Sequence, residues 1–114
     1  MLSITSEVRG AHAVVQLIGQ VQSEENEAFA AGLAGLLGLS ARRLILDCSD
    51  LDYLNSRGLG DLLGFYQELK ARGGELAVAG ARPAVLKVMS VVGLDRFLGA
   101  YPSVEAVEQA WADR

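Results

Sequence analysis

Apolar residues along the chain follow two spacings, the two-residue alternation of β-strands and the three-to-four-residue repeat of helices. Residues 2–6 alternate between apolar and polar, and a β-branched run at residues 13–18 follows a break at residues 10–12. This arrangement predicts an antiparallel hairpin whose second strand ends at Gly19. The break predicts that His12 is an exposed turn residue.

Helical spacing begins after this hairpin. Ser23 precedes two acidic residues and is predicted to cap the first helix, which Gly38 is predicted to end. Its apolar stripe is Phe29, Leu33, Leu36 and Leu37. The apolar run at residues 43–48 predicts a central strand covered by helices.

The second half of the chain alternates helices and strands. The second helix is predicted to turn Leu59, Leu62, Leu63, Tyr66 and Leu69 inward and to end at Gly73–Gly74. A strand follows at residues 75–79. The third helix, begun by Pro83, is predicted to bury Val85, Val88, Met89 and Val92. Phe97 and Leu98 are a candidate last strand, and Pro102–Ser103 opens a fourth helix with Val104, Val107 and Trp111 inward.

The predicted order is therefore β-β-α-β-α-β-α-(β)-α. It describes an α/β fold with a mostly parallel central sheet, an antiparallel opening hairpin and helices packed on the sheet. No linker or repeat divides the sequence, so residues 1–114 are expected to form a single domain.

Composition and charge narrow the function classes. Hydrophobic residues make up 51% of the chain and charged residues 21%, as in ordered globular proteins. The net charge is −4 and Arg42–Arg43 is the only adjacent basic pair, which argues against nucleic acid binding. Without a signal-peptide pattern or a run of about 20 apolar residues, the protein is expected to be cytoplasmic, with no membrane insertion.

Catalytic and metal-binding signatures are missing from the sequence. There is no Gly-x-Ser-x-Gly elbow, no phosphate-binding loop and no nucleotide fingerprint, so we predict no enzyme, no catalytic residue and no cofactor. The one histidine, His12, has no neighbouring cysteine, and no metal site is expected. The single cysteine, Cys48, lies in an apolar run and is interpreted as a small buried hydrophobe.

The stretch from Leu51 to Gly60 carries the chemistry of the chain. Asn55 and Ser56 are both residues that cap helix amino termini, and Gly58 and Gly60 are expected to keep the first helical turn open to another molecule. Such a turn also carries partial positive charge, which suits a phosphate or carboxylate. From the residues alone, Ser56 is a candidate helix cap at a helix start whose face another molecule could approach.

A strand ending in Asp, then Leu-x-Tyr-Leu-Asn-Ser-x-Gly-Leu-Gly, then an amphipathic helix resembles the STAS domain of anti-sigma factor antagonists and sulfate transporter tails. The resemblance implies a partner-switching module that binds an anti-sigma factor with serine kinase activity. That kinase would phosphorylate Ser56 and weaken binding, and a cognate phosphatase would restore it. A monomer or weak dimer is expected.

The resemblance also implies that partner-binding residues lie along one edge of the sheet, where the strands end. These are Gln22, Ser23, Asn55, Ser56, Arg57, Gly58 and Leu59. The sequence departs from the family pattern at three of them. Asn55 and Gln22 replace the acids that are usual there, and Arg57 replaces a common Ser or Thr, so the local field is less negative. A second hypothesis therefore stays open, a constitutive STAS scaffold subunit of a transporter or signalling complex in which Ser56 is only a cap.

Overall fold

The computed structural model describes residues 1–94 and 98–114. The described strands form one five-stranded sheet in sequence order, with the first pair antiparallel and the others parallel. The strands are β1 (Leu2–Arg9), β2 (His12–Val21), β3 (Arg43–Leu54), β4 (Glu75–Ala79) and β5 (Ala100–Tyr101). The helices are α1 (Asn26–Leu36), α2 (Ser56–Ala71), α3 (Pro83–Val91) and α4 (Val104–Ala112), and a 3-10 turn at Ser23–Glu25 precedes α1. The predicted fold class is confirmed.

The opening hairpin turns earlier than the sequence suggests. Gly10 has a φ of 64°, and His12 already pairs with Arg9 as the first residue of β2. The prediction of an exposed turn histidine is wrong, because His12 is half-buried. Its Nε2 lies 2.8 Å from Oε2 of Glu108, and its ring meets the ring of Trp111 edge-on at 6.0 Å.

Helices cover the two faces of the sheet unequally. Helices α1, α2 and α3 contribute to one large apolar cluster, and α4 packs on the opposite face over a smaller one. Trp111 is 7% exposed in this smaller cluster, as predicted. On α2 the fully buried positions include Phe65, which the predicted stripe omitted, whereas Leu63 and Tyr66 are only partly buried.

Two expectations near the end of the chain need correction. Val92 is 46% exposed, so its predicted burial is wrong; α3 ends at Val91, and the inward face of the helix stops with Met89. The final described strand lies at Ala100–Tyr101, and Leu98 is not part of it. Leu98 is buried, and Phe97 lies outside the described residues.

Strand β3 continues well beyond its apolar run. It was predicted to end at Cys48 but extends to Leu54, because β2 also continues past Gly19 and pairs with it as far as Val21. Cys48 is fully buried, which confirms its interpretation as a core residue, and burial together with the charge of Asp47 raises the pKa of its thiol to about 12. No helix in the described ranges has the length and apolar character needed to cross a bilayer.

Candidate binding site at the start of helix α2

The ends of β2 and β3 bring two turns together at one edge of the sheet. Val21 and Leu54 are paired across these parallel strands, and the backbone N–H of Asn55 donates to the carbonyl of Val21 at 3.0 Å. Parallel strands end at the same edge, so the turn that begins at Gln22 lies beside the turn that contains Ser56. Two of the predicted site segments, distant in sequence, therefore form one surface.

Asn55, and not Ser56, caps helix α2. The Oδ1 atom of Asn55 accepts a hydrogen bond from the backbone N–H of Gly58 at 2.8 Å, which is the geometry of an N-cap. Ser56 is the first helical residue, its side chain is exposed, and its hydroxyl has no hydrogen-bond partner within the described part of the chain. Ser56 is therefore not the cap of α2. The hypothesis of a constitutive scaffold does not depend on that capping role and stays a hypothesis.

A buried residue of α1 holds this cap in place. Asn26 is 5% exposed, and its side-chain amide pairs reciprocally with that of Asn55, at 3.0 Å from Nδ2 of Asn26 to Oδ1 of Asn55 and 3.1 Å in the other direction. The sequence pattern did not predict this contact. The available signal was that Asn26 stands three residues before Phe29 and seven before Leu33, on the apolar face of α1, where a polar residue needs a partner.

The turn after β2 presents two further predicted residues. Gln22 and Ser23 are exposed. The prediction that Ser23 caps the first helix is wrong, because Ser23 lies inside the 3-10 turn. The carboxylate of Glu25 fixes this turn by accepting hydrogen bonds from the backbone N–H of Gln22 and from the α-amino group of Met1, both at 3.1 Å. These bonds, the Gln22 bond first, lower the pKa of Glu25.

The predicted site residues differ in accessibility. Ser56 and Arg57 are exposed, whereas Gly58 and Leu59 are buried. A Cβ at Gly58 would lie 2.8 Å from side-chain atoms of Leu54 and Val21, so this glycine permits internal packing and does not open the turn.

Gly60 does face open space, as expected. An unpredicted apolar residue, Tyr53, lies on the same stretch and is 46% exposed.

The start of α3 reaches the same edge of the sheet through Arg82. Its Nε donates to the carbonyl of Ser49 at 2.9 Å, and its guanidinium group pairs with Asp52 and lies 3.9 Å from Asp50. These aspartates follow the apolar part of β3, and both face Arg82, the residue that precedes α3. Both aspartates lie on the extended end of β3, which leads into the Ser56 turn.

The one histidine of the chain lies far from Ser56. His12 lies at the start of β2 and Ser56 follows the end of β3, so about nine residue steps of paired strand, about 30 Å, separate them. This distance excludes a hydrolase-type pair made of Ser56 and His12. Among residues 1–94 and 98–114, no group of three or more His, Cys, Asp or Glu side chains is arranged to hold a metal ion.

A sequence profile of the STAS domain matches residues 3–107. The chain belongs to the STAS domain family. It is 34% identical, over 84% of its own length and 80% of the relative's, to BtrV of Bordetella bronchiseptica, which is described as an anti-sigma factor antagonist.

Solved structures of anti-sigma factor antagonists share this fold. An anti-sigma factor antagonist from Mycobacterium paratuberculosis has a TM-score of 0.84 and 25% identity, with 96% of this chain and 93% of that chain covered. The antagonist SpoIIAA in its unphosphorylated form has a TM-score of 0.77 and 22% identity, with 96% and 97% covered. The phosphorylated form of this Bacillus protein has a TM-score of 0.70 and 23% identity, with 95% and 99% covered.

Proposed function

We propose that this STAS domain protein is an anti-sigma factor antagonist that binds an anti-sigma factor with serine kinase activity and is switched by phosphorylation of Ser56. The observation that carries the proposal is the exposed Ser56 hydroxyl at the start of α2, where Asn55 already supplies the cap. The serine is thus free for modification without loss of a structural bond. Gln22, Ser23 and Arg57 supply the exposed surface around it.

A phosphate at this position suits the fold and alters the surface. Phosphorylation adds about −1.5 to −2 charges, and the partial positive charge of a helix amino terminus stabilises such a group. The first turn of α2 contains no acidic residue, and the neighbouring Arg57 is cationic. We therefore expect the phosphorylated domain to stay folded. A partner packed against Ser56 would have to accommodate a strongly solvated dianion, and we expect it to dissociate.

The similar proteins support the same reading. BtrV and the Mycobacterium paratuberculosis protein are described as anti-sigma factor antagonists, and SpoIIAA adopts this fold in both unphosphorylated and phosphorylated forms. The kinase partner and a phosphatase that removes the phosphate are the components such a switch requires. The neutral Asn55 keeps the cap that an acid would provide and makes the local field less negative.

Affinity capture from a lysate of the native cell tests the switch. Wild-type protein and Ser56→Asp serve as baits, and mass spectrometry identifies what each retains. Ser40→Asp is the matched control, because Ser40 is exposed in the loop that leads into β3, at the opposite edge of the sheet. We expect a kinase of the anti-sigma type on the wild-type and Ser40→Asp baits and its loss from Ser56→Asp.

The purified kinase then provides the second measurement. With ATP it should phosphorylate wild-type protein at Ser56, as located by mass spectrometry, and should leave Ser56→Ala unmodified. If Ser56→Asp retains the same partners with the same affinity as wild type, the switch is refuted and a fixed scaffold role is favoured.

A further inference from the structure

A groove runs between α1 and α2 on the outer side of the large apolar cluster. Its volume is about 220 Å³, and its lining combines apolar and small residues with two acids. The main contributors are Ala30, Leu33 and Ala34 from α1 and Asp61, Gly64 and Phe65 from α2. Both helices begin at the edge that contains Ser56, and Asp61 lies five residues along α2, about 7.5 Å further on.

In the described part of this groove, the carboxylate of Asp61 lacks a partner. Its Oδ2 atom is shielded from solvent and has no hydrogen-bond partner in the described residues. The other acid of the groove, Glu68, already pairs with Arg72 at 3.0 Å. Asp61 as a whole is only partly buried and pairs with no cation among the described residues, so a cationic side chain arriving from outside would pair with the accessible part of its carboxylate.

The glycines of α2 provide an independent observation. Glycine is a poor helix former, yet Gly60 and Gly64 occupy internal positions of this helix, one turn apart. A Cβ at either position would meet nothing within 4 Å, so packing inside the domain does not explain them. They leave the surface of α2 bare, which allows another backbone to approach closely. Residues that break a local preference without internal reason are expected at functional surfaces.

We infer that the groove between α1 and α2 is a docking site for a cationic amphipathic helix of a partner protein. The helix would place small and apolar side chains over Leu33 and Phe65 and a lysine or arginine at Asp61. Charge complementarity selects this occupant, since Asp61 is acidic and unpaired. The inference concerns a different surface from Ser56 and does not depend on the phosphorylation switch.

A synthetic helix pair tests the groove directly. The first peptide is an 18-residue helix with alanine and leucine on one face and lysines along its borders, and the second replaces the lysines with glutamates. Titration into the ¹⁵N-labelled full chain is followed by amide chemical shifts. We expect the lysine peptide to shift resonances of residues 30–34 and 61–65 and to bind at least tenfold more tightly than the glutamate peptide.

Variants separate docking from folding. Gly64→Gln adds a side chain where the domain has space, so its melting temperature should not fall, but it should weaken peptide binding at least tenfold. Ala71→Gln, at the exposed end of α2 and outside the groove, should bind as wild type does. Asp61→Asn should weaken binding several-fold and reduce its dependence on salt.

Three results would overturn the inference. These are equal binding of the two peptides, shifts outside the groove, or unchanged affinity of Gly64→Gln. A concentration-dependent dimer that Gly64→Gln abolishes would assign the groove to a second copy and overturn it as well. Ser56→Asp should bind the lysine peptide at least as well as wild type. The peptide titration therefore tests docking in the groove, and the capture experiment with Ser56→Asp tests the switch, so either proposal can fail without the other.

Discussion

The paired amides of Asn26 and Asn55 give the most quantitative prediction about the candidate site. Asn55→Ala removes the cap of α2, which costs about 1 kcal/mol. It also leaves the amide of Asn26, 5% exposed, without either of its hydrogen bonds, at a further cost of about 1–3 kcal/mol. The free energy of unfolding should therefore fall by about 2–4 kcal/mol.

The double variant distinguishes this account from simple loss of a cap. Asn26→Ala alone should cost about 1 kcal/mol, because Asn55 is partly exposed and keeps its bond to Gly58. Asn26→Ala/Asn55→Ala contains no unpaired buried amide. We therefore expect it to be more stable than Asn55→Ala by itself, with a coupling energy of about 1–3 kcal/mol.

Urea unfolding monitored by circular dichroism measures all four proteins. Ser103→Ala is the matched control, because Ser103 caps α4 by accepting from the backbone N–H of Ala106 at 3.1 Å. Its loss should cost about 1 kcal/mol, or about 4 °C in melting temperature. A loss for Asn55→Ala no larger than that for Ser103→Ala, or additive single variants, would refute the reasoning.

Two further predictions concern packing. Leu46→Asp should abolish cooperative thermal unfolding, because Leu46 has no exposed surface and an unpaired charge cannot be buried there. Leu63 is only partly buried on α2, so Leu63→Asp should keep a melting transition at a lower temperature. Equal melting behaviour of the two variants would contradict the burial pattern. Gly35→Ala faces open space and should stabilise the domain by about 0.4–1 kcal/mol. Gly32→Ala should stabilise it less, because the new Cβ would displace the terminal Cδ1 methyl of Ile4 on β1. Equal rises in melting temperature for the two variants would contradict this contact.

The order and type of the elements followed from the sequence because each depends on short-range pattern. Strand alternation, helical stripes, Pro83 at a helix start and Gly73 at a helix end are local signals that the folded state kept. The STAS motif around Ser56 was equally local, and the family was confirmed. The proposed role of Ser56 rests on this resemblance together with the exposure that the fold gives it.

Positions that depend on contacts distant in sequence were decided by tertiary structure alone. The two reciprocal hydrogen bonds between Asn26 and Asn55 join residues 29 positions apart. They form because the ends of β2 and β3 lie side by side in the sheet. The sequence therefore could not tell which of Asn55 and Ser56 was the cap.

His12 shows the same limit, because its contact with Glu108 spans 96 residues and helps to bury a side chain that the sequence predicted to be exposed. Sequence pattern reports which face of an element is apolar. Which polar groups become buried partners is set when distant elements meet, because a buried polar group must find its hydrogen bond wherever the fold supplies one.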